Sequence, residues 1–233
     1  MRRASTRERG TRDRILDAAE HLFAEHGFAG TSLRSITQEA GVNLAAVNYH
    51  FGSKEALLTA VLARRIEPIN RERLRELDAL EAEAGDGPLE LGRVLRAFLG
   101  PALRMHRQWG KNSIWIMQLA GRMHTSPDDE MRPAFMELFR EIRERFLPAF
   151  QRALPGVPEY EVFWRLHFVI GALAHTLVSS ALVEQWYRGG KAAGEGPDTE
   201  AVLERLLCFA EAGMAAPCRK AAKEAGKTEG GGS

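Results

Sequence analysis

The sequence predicts an all-α protein, in which a three-helix helix-turn-helix domain is followed by a larger helical domain. Signals for β-strands are almost absent, since there is no long alternation of apolar and polar residues and no Asn-Gly hairpin turn. Apolar residues recur instead at the spacing of amphipathic helices, and glycines, prolines and small polar residues divide these stretches. The 233 residues, 45% of them hydrophobic and 27% charged, suit a soluble globular chain of one or two domains.

The first helix is predicted in the stretch TRDRILDAAEHLFAEHG, where Ile15, Ala19 and Phe23 share one face. Thr11 is expected to cap its start and Gly27 its end. Residues 1–14 carry six arginines against two acids, and residues 1–9 are predicted to form a basic N-terminal arm. Such a charge suits a polyanion such as nucleic acid, and a solvated tail explains it equally well.

Two short helices follow, separated by the turn AGVN. The stretch SLRSITQEAG is expected to begin at a Ser32 cap and end at Gly41, and NLAAVNYHF is expected to begin at an Asn43 cap. Helices of under three turns are unstable alone in water and need flanking helices as a scaffold. This arrangement predicts a helix-turn-helix domain over residues 10–56.

The remaining helices form the larger domain, predicted over residues 57–216. One helix is expected from Ser53 to about Ala84, with a kink or break at Pro68, and AGDGP marks the turn after it. The later helices are expected at about 89–109, 112–123, 128–154, 158–187 and 198–216. The tail 217–233 has too little apolar content to pack and is expected to be disordered.

Several classes of protein are disfavoured by the composition. The two cysteines, Cys208 and Cys218, provide neither a CxxC pair nor a zinc site, so a reducing cytoplasm without metal or cofactor is expected. The polar N-terminus lacks the features of a signal peptide. The apolar run 168–183 is shorter than the roughly 20 residues of a membrane span and is expected to be a deeply buried helix.

The second short helix has the composition of a surface that enters a DNA groove. Ala45 and Ala46 would give clearance near the base edges, whereas Asn48 offers both a donor and an acceptor. Tyr49 can donate to a phosphate oxygen, and Lys54 lies in the first turn of the next helix, where phosphate binds well. Val47 and Phe51 are expected in the core, and the alternative for Tyr49 is partial burial.

An enzyme is the main rival interpretation, because HTSPDDE at 124–130 groups a histidine with three acids. Acids at a helix start complement the helix dipole, and no nucleophile elbow, P-loop or dinucleotide fingerprint is present. A helical ligand-binding or interaction protein that does not bind DNA is the other alternative. It leaves the alanine pair and the basic arm unexplained.

Residues of about 10–60 resemble the DNA-binding domain of the TetR family of repressors, through LFAEHGFAGTS, ITQEAGV and YHFGSKEAL. The resemblance implies a ligand-responsive, dimeric repressor that is not an enzyme, with a C-terminal helical domain for ligand binding and dimerisation. The residues implied to face the major groove are Asn43, Leu44, Ala45, Ala46 and Asn48. The residues implied to contact or flank phosphates are Thr31, Ser32, Arg34, Ser35, Tyr49, His50 and Lys54. Family members often carry Lys, Gly or Thr through positions 44–46, so base preference cannot be carried over.

The effector is expected to be apolar or amphipathic, because the middle helices are rich in methionine and bulky aromatic residues, which suit an irregular cavity as well as an ordinary core. The candidate pocket residues are Met105, Trp109, Trp115, Gln118, Met123, Phe139, Trp164, His167 and Phe168. Residues 48–82 are also similar to a TetR subgroup linked to fatty-acid or acyl-coenzyme A sensing, which implies a fatty acyl effector.

The resemblance implies homodimerisation through helices of the C-terminal domain, and the last two helices fit this role, because Gly171, Ala172 and Ala174 would let two helix backbones approach closely. The candidate interface residues are Gly171, Ala174, His175, Val178, Leu203, Leu206 and Leu207. The alternative is that both helices are core elements of a monomer. The expected partners are therefore double-stranded operator DNA, a second copy of the chain and a small effector, without a membrane.

Overall fold

A computed structural model of the chain describes residues 2–109, 132–187 and 198–217. These ranges contain nine helices and no β-strand. The helices are α1 (Arg2–Gly30), α2 (Leu33–Ala40), α3 (Leu44–Phe51), α4 (Lys54–Ala84), α5 (Leu91–Trp109), α6 (Arg132–Glu137), α7 (Arg140–Ala153), α8 (Glu159–Tyr187) and α9 (Thr199–Ala215). The described residues fall into two compact units, with bounds Met1–Asn70 plus Trp109–Arg140 and Arg71–Gln108 plus Glu141–Ser233. The all-α prediction is confirmed.

The first unit is built around one hydrophobic core to which α1, α2, α3, α4 and α6 contribute. The helices α2 and α3 are too short to be stable alone, so they depend on the burial of apolar side chains in this core. The central buried residues are Ile15, Leu16, Ala19, Phe23, Ile36, Val47, Leu57, Leu58, Val61, Leu62 and Phe135. α1 and α4 therefore each turn a stripe of apolar residues toward this core.

The caps predicted for the two short helices are present. Ser32 and Ser35 form a capping box at the start of α2, and Gly41 ends that helix with a left-handed φ of 61°. Asn43 caps α3, accepting a hydrogen bond from the Ala46 amide at 2.9 Å. The helix-turn-helix unit thus follows from local signals that can be identified in the sequence.

The first helix differs from its prediction at both ends. α1 begins at Arg2, not at Thr11, so residues 2–9 of the basic arm are helical. At Gly27 the backbone takes φ 70° and ψ 175°, which interrupts the helix one turn before Gly30. The expected helix end at Gly27 is therefore an internal break, followed by a short helical continuation.

Two other helices also differ from expectation. α4 continues through Pro68 to Ala84, so the expected break at this proline is wrong. The helix expected over 128–154 is divided, with α6 ending at Glu137 and α7 beginning at Arg140. Between the two helices the chain forms turns, in which the Leu138 amide donates to the Phe135 carbonyl and the Phe139 amide donates to the Met136 carbonyl. The helix expected at 112–123 and the tail from 218 onwards lie outside the described residues.

The second unit has an aromatic core between α5 and α7. The ring of Phe98 lies 5.2 Å from that of Phe146 and 5.9 Å from that of Phe150, measured between centroids. Arg73 from α4 donates to the Phe98 carbonyl at 2.7 Å and stacks on its ring. Burial lowers the pKa of Arg73 to about 10, so the guanidinium stays charged at neutral pH.

The helix α8 is only partly buried, which corrects the expectation of a deeply buried helix over 168–183. One stripe, including Val169, Leu173 and Leu177, is buried, and α8 contacts α9. Phe168 is 64% exposed and Val183 52% exposed. Glu159–Ser179 is long and apolar enough to cross a membrane by composition alone, but core helices of soluble proteins pass the same test.

Candidate nucleic-acid interface

The outward face of α3 carries several of the residues that the sequence predicts to contact DNA. At 100° per residue, Val47 points inward and is fully buried, whereas Ala45 and Tyr49 lie on the opposite side of the helix. Tyr49 is 76% exposed and Leu44 is 50% exposed. Leaving such apolar surface in water is unfavourable, so this face has the character of a contact surface.

Two of the predicted base-facing residues have only part of their surface available. The Oδ1 atom of Asn43 accepts the hydrogen bond from the Ala46 amide, so only its Nδ2 donors point to a possible ligand. Ala46 is half-buried and packs against the core of the unit. Asn48 is exposed and keeps both kinds of hydrogen-bonding group. Asn48 is therefore the more versatile of the two asparagines for reading bases.

The serines of α2 are engaged with one another. The Ser35 hydroxyl donates to the Ser32 carbonyl at 2.7 Å, and the Ser32 hydroxyl accepts from the Ser35 amide at 3.0 Å. Arg34, between them in sequence, is exposed. The serines fix the start of α2, and Arg34 is the exposed cation of this segment.

Thr31 is not placed to contact phosphate, in contrast to its predicted role. Thr31 is only 2% exposed. Its hydroxyl lies 3.0 Å from the Leu22 carbonyl and 2.8 Å from the Gly27 carbonyl. A buried hydroxyl needs such acceptors, because burying it without one is costly. Thr31 therefore stabilises the break at Gly27 from within the unit.

Lys54 lies at the start of α4, as predicted, and its position is fixed by an aromatic ring. Its Nζ atom is 4.2 Å from the centroid of Phe28, the residue that follows the Gly27 break. Ser53 caps the helix by accepting from the Ala56 amide at 3.1 Å. The pKa of Glu55 is lowered, because its carboxylate accepts from its own backbone amide and from the Ser53 hydroxyl. The anion-binding N-terminus of α4 is thus partly occupied by Glu55.

Tyr49, His50 and Phe51 form a graded series from solvent to core. The ring of Tyr49 meets His50 edge-on at 5.1 Å, and His50 lies 6.1 Å from Phe51. His50 is half-buried, and Phe51 packs against the core of the first unit. Tyr49 is consequently the outermost of the three groups, and Phe51 is the inner support.

Two contacts of α1 were not anticipated from the sequence. The Arg12 guanidinium lies over the ring of Phe51, with 5.4 Å between Cζ and the ring centroid. Glu20, which is buried, accepts hydrogen bonds from Arg64 and Arg65 of α4. The sequence offers one signal for the first contact, since Arg12 precedes the buried Leu16 by one helical turn.

The predicted pocket residues do not form one described cavity. Met105, Trp164, His167 and Phe168 belong to the second unit, whereas Phe139 packs against the core of the first. Trp115, Gln118 and Met123 lie outside the described residues, as does the side chain of Trp109. A cavity of about 200 Å³ at the start of α5 is lined instead by Leu80, Glu83, Ala84, Pro88, Leu89, Glu90, Arg93 and Val94. Ligand pockets usually exceed this volume.

The predicted interface residues divide into an exposed and a buried group. On α8, Gly171, His175 and Val178 are exposed, and Ala174 is half-buried. On α9, the side chains of Leu203, Leu206 and Leu207 pack inside the unit, so a partner chain has almost no surface to bury there. The exposed large apolar residue of α9 is instead Phe209. The sequence placed these leucines on one apolar face but could not show that this face is buried within the chain itself.

Comparisons with known proteins match both parts of the chain. Residues 15–61 match the family model described as "Bacterial regulatory proteins, tetR family". Residues 96–213 match the model described as "Tetracyclin repressor-like, C-terminal domain", which is half of the chain.

Individual relatives agree with these matches. The uncharacterized transcriptional regulator TtgW of Pseudomonas putida is 40% identical over 68 residues, covering 29% of this chain and 51% of the relative. The Escherichia coli K12 regulator UidR is 38% identical over 77 residues, covering 30% of this chain and 39% of the relative. The chain therefore spans about half the length of the first relative and less than half the length of the second.

A solved structure shares the whole fold. FadR of Bacillus subtilis in complex with stearoyl-CoA has a TM-score of 0.58 at 16% identity, covering 86% of this chain and 97% of that one. At this identity the similarity shows the fold alone. Together with the two matched domains and the helix-turn-helix described above, it leads to one conclusion: the chain belongs to the TetR family of bacterial transcription regulators.

Proposed function

We propose that this chain is a cytoplasmic, homodimeric repressor that binds operator DNA through α2 and α3 and is released by an apolar or amphipathic effector. The observation that carries the proposal is the outward face of α3, where Ala45, Asn48 and Tyr49 are exposed on a helix anchored by Val47 and Phe51. A helix of this kind enters the major groove with its partner helix across the backbone. No catalytic role is proposed.

DNA binding by this face divides into two kinds of contact. Asn48 and the Nδ2 group of Asn43 can hydrogen-bond to base edges, while the small side chain of Ala45 allows close approach. Tyr49, Arg34 and Lys54 can bind phosphates, which positions the protein without distinguishing sequences. Since Leu44 to Ala46 offer no hydrogen-bonding side chain, part of the specificity is assigned to DNA shape.

A homodimer is supported by the exposed stripe of α8. Trp164, Phe168, Gly171, His175 and Val178 follow one another at intervals of four, three, four and three residues, on the side opposite the buried Leu173. This alternation is the spacing by which helices pack against each other. Trp164 and Phe168, predicted as pocket residues, are therefore assigned to the interface together with Phe209 of α9.

The effector is proposed to be a fatty acyl compound. The support is the complex of stearoyl-CoA with the structurally similar FadR, together with the Met- and aromatic-rich helices of this chain. Release would follow if the ligand bound preferentially to a state with altered spacing of the two reading helices, which must match major grooves about 34–36 Å apart. The helix α4 is the candidate transmitter, because it contributes residues to both compact units.

A selection experiment with genomic DNA tests the proposal. The purified chain is incubated with genomic fragments, bound fragments are sequenced, and a preferred sequence is expected. Tyr49→Ala should weaken binding to all sequences, whereas Asn48→Ala should lower the discrimination between sequences by about 1–3 kcal/mol at the contacted position. Failure of the wild-type chain to enrich any fragment would favour a helical interaction protein that does not bind DNA.

A further inference from the structure

Arg12 lies on the core-facing side of α1 but reaches solvent. It precedes the buried Ile15 and Leu16 by three and four residues, which places it on the same side of the helix one turn earlier. Arg12 itself is exposed. Its guanidinium rests against the ring of Phe51 at 5.4 Å, at the end of α3. A ring that belongs to the edge of the core therefore supports a cation at the surface.

The neighbourhood of α3 contains further positive charge from the same helix. A Cβ atom at Gly41, in the turn before α3, would lie 3.8 Å from the Nη1 atom of Arg14. Arg14 is also exposed. The two arginines of α1 are thus placed near opposite ends of the reading helix, Arg14 at the turn before it and Arg12 at its last residue. This distribution of charge is complementary to a polyanion that lies along α3.

We propose that Arg12 binds a phosphate of the DNA backbone and that Phe51 is its positioning residue. The proposal rests on the proposed function. A guanidinium held over an aromatic face keeps N–H donors that can bind a phosphate by two parallel hydrogen bonds, while the contact with the ring restricts the positions of the side chain. Lys54 makes a second cation–π contact at the start of α4, with 4.2 Å between its Nζ atom and the ring centroid of Phe28.

The salt dependence of DNA binding separates this role from a structural one. Each phosphate contact releases counterions and steepens the dependence of log affinity on log salt by about 0.9. For binding to a fluorescent random-sequence duplex between about 50 and 200 mM salt, Arg12→Ala should reduce the slope by about 0.9 per bound protomer. The loss should be the same for every duplex sequence. Arg143→Ala, which removes an exposed arginine from α7, is the matched control and should leave the slope unchanged.

A second pair of variants tests the role of the ring. Phe51→Leu keeps an apolar side chain against the core but removes the aromatic face, so it should lower the slope less than Arg12→Ala does. In the Arg12→Ala background the same change should have no further effect on the slope. Arg12→Lys, which retains the charge, should keep most of the slope, and thermal unfolding of every variant shows whether it is folded.

The outcomes distinguish the two proposals. If the wild-type chain binds duplex DNA and Arg12→Ala has an unchanged slope, or the same slope as Arg143→Ala, the role of Arg12 is refuted and DNA binding stands. A loss confined to one DNA sequence also refutes a backbone contact. If the wild-type chain binds no duplex, the proposed function itself fails.

Discussion

Asn43 combines two tasks in one side chain. Its Oδ1 atom caps α3 through the Ala46 amide, and its Nδ2 atom remains available on an exposed residue. The cap stabilises the start of a two-turn helix, whereas the Nδ2 donors take no part in the cap and are available to a ligand. We therefore expect stability and DNA binding to depend on different atoms of the same residue.

Substitutions at Asn43 should separate these tasks. Asn43→Asp keeps a capping oxygen, so the free energy of unfolding should change by less than about 0.5 kcal/mol. It also removes the donors and adds a negative charge, so affinity for DNA should fall at least tenfold. Asn43→Ala removes the cap and should lower stability by about 1 kcal/mol. Thermal unfolding and DNA titration measure both quantities, and an Asp variant that binds DNA normally would contradict the assignment.

At the scale of elements, α1 and α4 are joined by an ion-pair cluster. Glu20 is buried and accepts from Arg65 Nε at 2.9 Å and from a guanidinium nitrogen of Arg64. Asp17, one turn earlier, accepts from Arg64 at 2.5 Å. Burial disfavours the charged form of Arg64, but the hydrogen bonds that it donates to Glu20 and Asp17 outweigh this effect and raise its pKa. The cluster fixes the rotation of α4 against the helix-turn-helix.

Neutralising Glu20 should weaken the ion-pair cluster between α1 and α4. Removing one member of a fully buried pair costs about 3–5 kcal/mol. The side chains of Arg64 and Arg65 are 29% and 26% exposed, so Glu20→Gln should lower the free energy of unfolding by about 2 kcal/mol. Asp17→Asn is the control, because its side chain is 71% exposed and should contribute less than about 1 kcal/mol. Equal losses in denaturant unfolding would show that burial of Glu20 is not decisive.

Local signals explain why so much of the first unit could be predicted. Ser32, Gly41 and Asn43 act within a few residues of themselves, so their roles are visible in the sequence. Thr31 could not be assigned in this way, because its acceptor at Leu22 is nine residues away and is reached only after α1 is folded and broken. The sequence likewise could not distinguish the buried Leu206 from the exposed Phe209, because burial on this helix depends on contacts with other parts of the folded chain.

At the scale of the whole molecule, the exposed stripe of α8 predicts that the chain is a dimer. In a two-fold interface each substitution occurs twice, so a charge at the stripe is doubly unfavourable. Phe168→Glu should weaken dimerisation at least tenfold and reduce affinity for DNA with two half-sites. Phe163→Glu is the matched control, because Phe163 is exposed on the same helix but lies off the stripe.

Sedimentation equilibrium and native mass spectrometry measure the change. The expected result is a monomeric Phe168→Glu variant with an unaltered helical circular dichroism spectrum. If the two variants dimerise equally well, the dimer interface lies elsewhere. A ligand pocket would then be the better assignment for Trp164 and Phe168.

Gly27 is a position at which handedness, not size, decides which side chain fits. A Cβ atom there would meet nothing within 4 Å, yet the backbone at φ 70° and ψ 175° lies in a region that L-residues almost never occupy. An L-side chain would therefore be strained by about 1–3 kcal/mol in empty space. The mirror image of this conformation is ordinary extended backbone, so a D-residue would fit without strain. The position of Phe28, whose ring supports Lys54, therefore depends on a residue whose backbone has the conformation of a D-amino acid.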